Sequence, residues 1–209
     1  VSAIVLLTTS CGSGASPGAN LEELRGDRKL NVLLVTLDTT RADRIGVYGF
    51  DEIDTPVIDA LADRGVTFMR AYASTPLTLP SHTSLFTGTH PPYHGVRDNG
   101  VHVAPAGLQT LAESFQEAGY RTGAFVGAFV LDSRWGLGQG FARYFDEFEA
   151  PERREIDLGH VQRPGSEVID TALAWAGEDD TTPFFMWVHL YDPHAPYEPP
   201  EPFRSRYAD

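Results

Sequence analysis

The stretch STPLTLPSHTSLFTGTHPPYHG at 74–95 gathers hydroxyls, histidines and prolines into one segment. Thr78 and the neighbouring serines are candidate nucleophiles, but a hydroxyl attacks only when a base or a metal lowers its pKa. Asp38 could supply that help, since it closes the apolar run NVLLVTLD at 31–38. A carboxylate leaving such a run is costly to bury unless paired or metal-bound, and as a hard oxygen ligand it suits a divalent cation. That cation would activate Thr78 and polarise an anionic ester together. His82 follows four residues later, placed to protonate a leaving group or donate to an ester oxygen. The plainer readings stand beside these. Asp38 caps the turn after it or pairs with Arg41 or Arg44, and Thr78 and His82 serve an ordinary helix start. Spacing alone leaves both open.

His194, in DPHAPYEPP, follows a second strand-like run that also ends in an acid, Asp192. His94, with Arg97, Asp98 and Asn99 close behind, could form a polar wall and contact substrate. His90, His102 and His160 are assigned to surface or loop. A serine esterase using Ser81 or Ser84 is the competing enzyme reading, and no G-x-x-x-x-G-K-[ST] loop is present for a nucleotide.

These residues need elements to hold them. The runs 31–38, 66–72 (VTFMRAY), 121–130 and 183–192 read as strands, being apolar, aromatic or β-branched. Helices are expected at 55–65, 80–88, 108–119 and 166–177, the last with Ser166 as its capped start. Strands alternating with helices imply parallel βα units covered on both faces, with ligands beyond the carboxyl ends of the strands. Asp38, Asp192 with His194, and the entrance of the 80–88 helix all fall on that edge.

The net charge is −13, with no basic run. That argues against nucleic acid as a partner, though a few placed cations or a metal still admit a small anion. One cysteine, Cys11, excludes an internal disulfide. It lies in VSAIVLLTTSCGSGASPGAN, whose apolar part is too short to span a bilayer but resembles the end of a bacterial lipoprotein signal. Residues 1–29 are therefore expected to be a signal remnant and tether, anchored in the cell envelope or periplasm through a lipid on Cys11, with the catalytic domain at 30–209.

The blocks NVLLVTLDTTRADRIGVYG, DTPVIDALADRGVTF, TPLTLPSHTSLFTGTHPPYHGVRDNG, LAESFQEAGYRTGAFVG and FFMWVHLYDPHAPYEPP occur in that order. Together they resemble the bacterial sulfatase family of the alkaline phosphatase superfamily. The resemblance implies a three-layer α/β/α sandwich with a mostly parallel sheet and one divalent metal, Ca2+, Zn2+ or Mn2+. It also implies hydrolysis of a sulfate or phosphate ester through a covalent intermediate. Asp38 matches the family's first metal-binding acid. Aligning on Pro80, Thr78 falls at the nucleophile of the Cys/Ser-x-Pro-x-Arg signature, beside the metal, and His82 takes the place of its arginine. His194 matches the substrate-binding histidine of the Pro-His-x-Pro block.

The departures are specific. Threonine cannot be oxidised to the formylglycine that a Cys or Ser provides. Thr39 replaces a second metal-binding Asp, and Gly127-Ala128-Phe129-Val130 replaces a Gly-Lys-x-His that grips sulfate. Threonine nucleophiles resemble those of phosphodiesterase and phosphoethanolamine-transferase relatives instead. An inactive anion-binding member of the same fold is the further alternative. The family's remaining metal ligands lie in its later half, so the chain is expected to be the N-terminal part of a catalytic domain. Substrates in view are small anionic esters and sulfated or phosphorylated glycans or lipid head groups.

Overall fold

The run FFMWVHL at 184–190 alternates strictly in where it buries its side chains. Phe185 and Trp187 join one core, and Met186 and Val188 join another. A strand with apolar residues on both faces needs cover on both, and that requirement sets the architecture. The computed structural model describes residues 3–9, 29–148 and 161–207.

Four parallel strands form the body of the sheet: β2 (Asn31–Leu37), β3 (Arg121–Val126), β4 (Arg143–Phe145) and β5 (Phe184–Leu190). Their order is β2-β5-β3-β4, and β1 (Ala3–Thr9) runs antiparallel along the outer edge of β2. Helices α2 (Thr78–Thr87) and α4 (Leu111–Glu117) cover one face, bringing Leu79, Phe86 and Ala112 onto Leu34, Ala124, Val126, Phe185 and Trp187. Helix α5 (Gly165–Ala176) covers the other with Val168, Ala172 and Trp175. The expected three layers are present. Shorter α-helices are α1 (Pro56–Ala62), α3 (Pro91–His94) and α6 (Phe203–Tyr207).

Several boundaries moved for local reasons. Helix α4 starts at Leu111 because Thr110 and Glu113 form a reciprocal capping box, leaving Leu108 outside. The 121–130 run stops as a strand at Val126, and Phe129–Leu131 turns as a 3-10 helix. Strand β4 carried no expectation. Ser166 does not cap α5: Pro164 occupies the N-cap position without a side-chain bond. The segment 66–72 is not a strand. It pairs with no described strand and leaves Val66, Phe68, Met69 and Tyr72 exposed. Strand composition without a neighbouring edge gives no ladder. Cys11 and its tether lie outside the described residues, and residues 3–9 are placed as β1. Among the described residues no helix is long and apolar enough to cross a membrane.

Candidate active site

Two chain ends meet above the sheet. Strand β2 delivers Asp38 one residue past its last paired position, and α2 begins at Thr78. The Thr78 hydroxyl donates to Asp38 Oδ2 across 3.1 Å. The start of α2 has no side-chain cap of its own, and Asn99 supplies one from outside, its Oδ1 accepting from the Leu79 N–H at 2.9 Å. The Thr78 carbonyl is gripped in turn by the Ser81 hydroxyl at 2.9 Å and by His82 Nδ1 at 2.7 Å. A carbonyl only accepts, so His82 carries its hydrogen on Nδ1. The first turn of α2 thus holds the candidate nucleophile through its backbone.

The structure adds a residue that no motif singled out. His189 of β5 is fully buried, and its Nε2 lies 3.4 Å from Asp38 Oδ2. That is ion-pair range without hydrogen-bond alignment, and both His189 Nε2 and His82 Nε2 lack a hydrogen-bond partner. His189 Nδ1 contacts Thr36 Oγ1 at 2.7 Å, and Trp187 Nε1–H donates to the same oxygen at 3.0 Å. The one local signal is weak: it sits two residues beyond Trp187 on the same strand face. Only β2–β5 pairing sets it opposite Thr36.

Burial works to raise the Asp38 pKa, but the contact with His189, the pull of the His189 and His82 rings when they are protonated and the Thr78 hydroxyl outweigh it and hold the carboxyl below its ordinary range. Asp38 is accordingly a weak base and a ready anion. Burial, aided by His189, pushes His82 down to about 3 against the Thr78 carbonyl and Asp38. His82 is neutral and only 2% exposed. Its geometry favours holding Thr78 over donating a proton.

Past Asp38 the chain turns sharply. Thr39 adopts φ 48°, a left-handed conformation that strains a β-branched residue. Its hydroxyl donates to the Pro193 carbonyl at 3.0 Å, tying in the loop that carries His194. His194 stacks on Tyr191 with ring centroids 4.3 Å apart, its Nδ1 at 2.6 Å from the Ala195 carbonyl. Asp192, expected on the reactive edge, serves another purpose: its Oδ1 accepts from Gly165 N–H at the start of α5. His94 is buried with both ring nitrogens committed, Nδ1 to the Val96 N–H and Nε2 to the Ser84 hydroxyl. It lines neither cavity at α2. Gly127, which opens the segment standing in place of the family's sulfate-gripping block, is locked by backbone bonds to His189 and Arg163.

A cleft of about 20 Å³ lies between Asp38, Thr39, Thr75–Thr78 and Ser81. A larger cavity of about 240 Å³ shares Ser81 and is lined by Thr36, Tyr72, Ser74, His82 and His90 among others. No carboxylate lines the larger one, whereas the smaller holds both Asp38 and Thr78. For a divalent cation the fit is partial. Asp38 and Thr78 are adjacent hard oxygen donors, the right chemistry for such an ion, and both contacts of the Asp38 carboxylate fall on Oδ2. Among the described residues, however, no group of three or more His, Cys, Asp or Glu could hold a metal.

The family model described as Sulfatase matches residues 30–209. The uncharacterized sulfatase YidJ of Escherichia coli (strain K12) is 28% identical over 211 residues, covering 87% of this chain and 42% of that protein. An N-acetylgalactosamine-6-O-sulfatase of Bacteroides thetaiotaomicron is 31% identical over 145 residues, 66% of this chain and 25% of its own length. The crystal structure of a phosphonate monoester hydrolase of Agrobacterium radiobacter superposes with TM-score 0.67 at 25% identity, over 83% of this chain and 43% of that one. The chain spans less than half the length of these relatives.

Proposed function

The chain belongs to the sulfatase family, and on that premise we propose that it carries the nucleophile and the first cation-holding carboxylate of a sulfate- or phosphate-ester hydrolase. The observation behind this reading is the Thr78 hydroxyl resting on Asp38 Oδ2, 3.1 Å away, at the carboxyl edge of the sheet. Members of the family use a divalent metal. Here Asp38 and the Thr78 hydroxyl would help hold it, and the ion supplies polarisation of the ester and a lowered hydroxyl pKa.

Thr78 Oγ attacks sulfur or phosphorus as its proton passes to solvent water, and the bond to the alcohol oxygen breaks as that oxygen takes a proton from water. Water then cleaves the threonine ester and returns the hydroxyl. Asp38 stays ionised throughout, as its depressed pKa requires. His82 and Asn99 keep the α2 entrance in place, and the loop of His194, tied to Thr39 through the Pro193 carbonyl, would bring that histidine to the ester as the family resemblance implies. A threonine in this position favours phosphoryl over formylglycine-based sulfuryl chemistry. The glycosamine sulfatase and phosphonate hydrolase among the relatives support anionic esters of sugars or small alcohols as substrates.

The test is incubation with 4-nitrophenyl phosphate, 4-nitrophenyl sulfate and a phenyl phosphonate, with and without Mn2+, Zn2+ or Ca2+. Peptide mass spectrometry should locate a phosphoryl or sulfuryl group on Thr78, and Thr78→Ala should abolish both labelling and release. Wild-type-like release from Thr78→Ala would sink the assignment. The two-donor cation fit favours a second reading, an anion-binding member without turnover. Saturable phosphate binding with no metal-stimulated release selects it. The Cys11 lipid anchor rests on its sequence setting: Cys11→Ser should leave the membrane fraction, and unchanged fractionation overturns it.

A further inference from the structure

The buried side chains behind Asp38 form a directed chain of hydrogen bonds. Trp187 Nε1 can only donate, and it donates to Thr36 Oγ1 at 3.0 Å. Thr36 then has its own hydrogen to give, and His189 Nδ1 lies 2.7 Å away. On the far side of the imidazole, Nε2 faces the carboxylate oxygen Oδ2 of Asp38 at 3.4 Å. Of the two neutral tautomers, one suits both ends: with the hydrogen on Nε2, Nδ1 accepts from Thr36 and Nε2–H sits on the Asp38 side, at ion-pair distance without hydrogen-bond alignment. The opposite tautomer would set a nitrogen lone pair against a carboxylate in a site where Asp38 is 2% exposed and His189 is 0% exposed. His82, 4.9 Å from His189 between ring centroids, is fixed the other way round by the Thr78 carbonyl.

We propose that His189, aligned by Thr36 and Trp187, is a positioning residue that turns Asp38 Oδ2 toward Thr78 and leaves Oδ1 to face a cation or substrate. Both side-chain contacts of the carboxylate, Thr78 Oγ1 and His189 Nε2, converge on Oδ2. Parallel register makes this possible, since Thr36 and His189 are direct partners in the β2–β5 ladder and Asp38 N–H donates to Leu190 O at 2.9 Å. The two strands clamp the backbone of Asp38 while the side-chain relay sets its rotation. Pre-orientation of this kind is what fixes a reacting group within the narrow geometry that catalysis needs.

The proposal rests on Asp38 and Thr78 being the reactive pair, but its test needs no turnover. Long-range 1H–15N correlation spectra of the uniformly labelled chain read imidazole tautomers directly. His189 is expected as the Nε2–H form and His82 as the Nδ1–H form. Thr36→Val, which keeps shape and removes the hydroxyl, should shift the His189 Nδ1 15N resonance by removing its hydrogen-bond donor and move the Asp38 carboxyl 13C shift while leaving that of Asp59 alone. Thr36→Ser should restore both signals. A wild-type His189 in the Nδ1–H form overturns the proposal, and so does an Asp38 shift indifferent to Thr36→Val. If Thr36→Val fails to fold, the wild-type tautomer together with Trp187→Phe decides. A negative result in the Thr78 labelling experiment leaves these spectra unaffected, so the two ideas fail separately.

Discussion

At the residue scale, acid is the stress this site is built to feel. His94 needs a lone pair on Nδ1 to accept from Val96 N–H. Burial, and then the charge of His90, lowers its pKa below the ordinary 6.5. His82 is lowered further, to about 3. A histidine that binds fewer protons folded than unfolded makes stability rise with pH. Their contribution is therefore complete above about pH 6.5 and is lost as pH falls below it. Asp38, also depressed, adds a loss of the same sign nearer its ordinary carboxylate value. Urea midpoints should fall steadily from neutral pH downward, and His94→Gln should flatten the upper part of that slope. A midpoint constant down to the carboxylate range would contradict this. Thr39 offers a second test. Asp tolerates the left-handed backbone better than a β-branched residue and adds a hard oxygen ligand. Thr39→Asp should thus tighten Mn2+ binding, read by titration calorimetry; unchanged affinity would place this side chain outside the cation site.

At the element scale, helices α2 and α5 both begin without a local side-chain cap and borrow one from distant sequence. Asn99 serves α2 and Asp192 serves α5, the latter also setting a negative charge at the positive end of the helix. Replacing either by Ala should cost about 1 kcal/mol, the usual worth of a cap, measured by denaturant unfolding. Asn99→Ala should also weaken Thr78 labelling, because the α2 entrance carries that hydroxyl, whereas Asp192→Ala should leave labelling near normal. Equal effects of both on labelling would remove the distinction. These caps show why the place of Asp192 along the chain does not fix its role. Its position after a strand looked like a reactive edge, but the position is shared by residues that cap the neighbouring helix, and only the packing of α5 beside β5 tells them apart.

At the scale of the whole molecule, segment 66–72 is the main mismatch between composition and environment. Phe68 and Tyr72 are 70% and 84% exposed. Substituting both by Ser removes little buried contact, so stability should change by no more than about 0.5 kcal/mol while aggregation during concentration declines. A larger loss would show that the segment is packed in solution. The parallel core, by contrast, was legible from local patterning. Continuous apolar runs ending in acids, separated by amphipathic helices, are enough to specify βα units, because each face of each strand must be buried. The placement of Asp38 and Thr78 was legible too, since each stands at a recognisable strand or helix end. His189 and Thr36 were not, because 153 residues separate them and only the β2–β5 register brings them to 2.7 Å. Residue type and spacing settle what a side chain is able to do; which lone pair faces which hydrogen is settled when separate strands pair, and at Asp38 that pairing set the direction of the carboxylate.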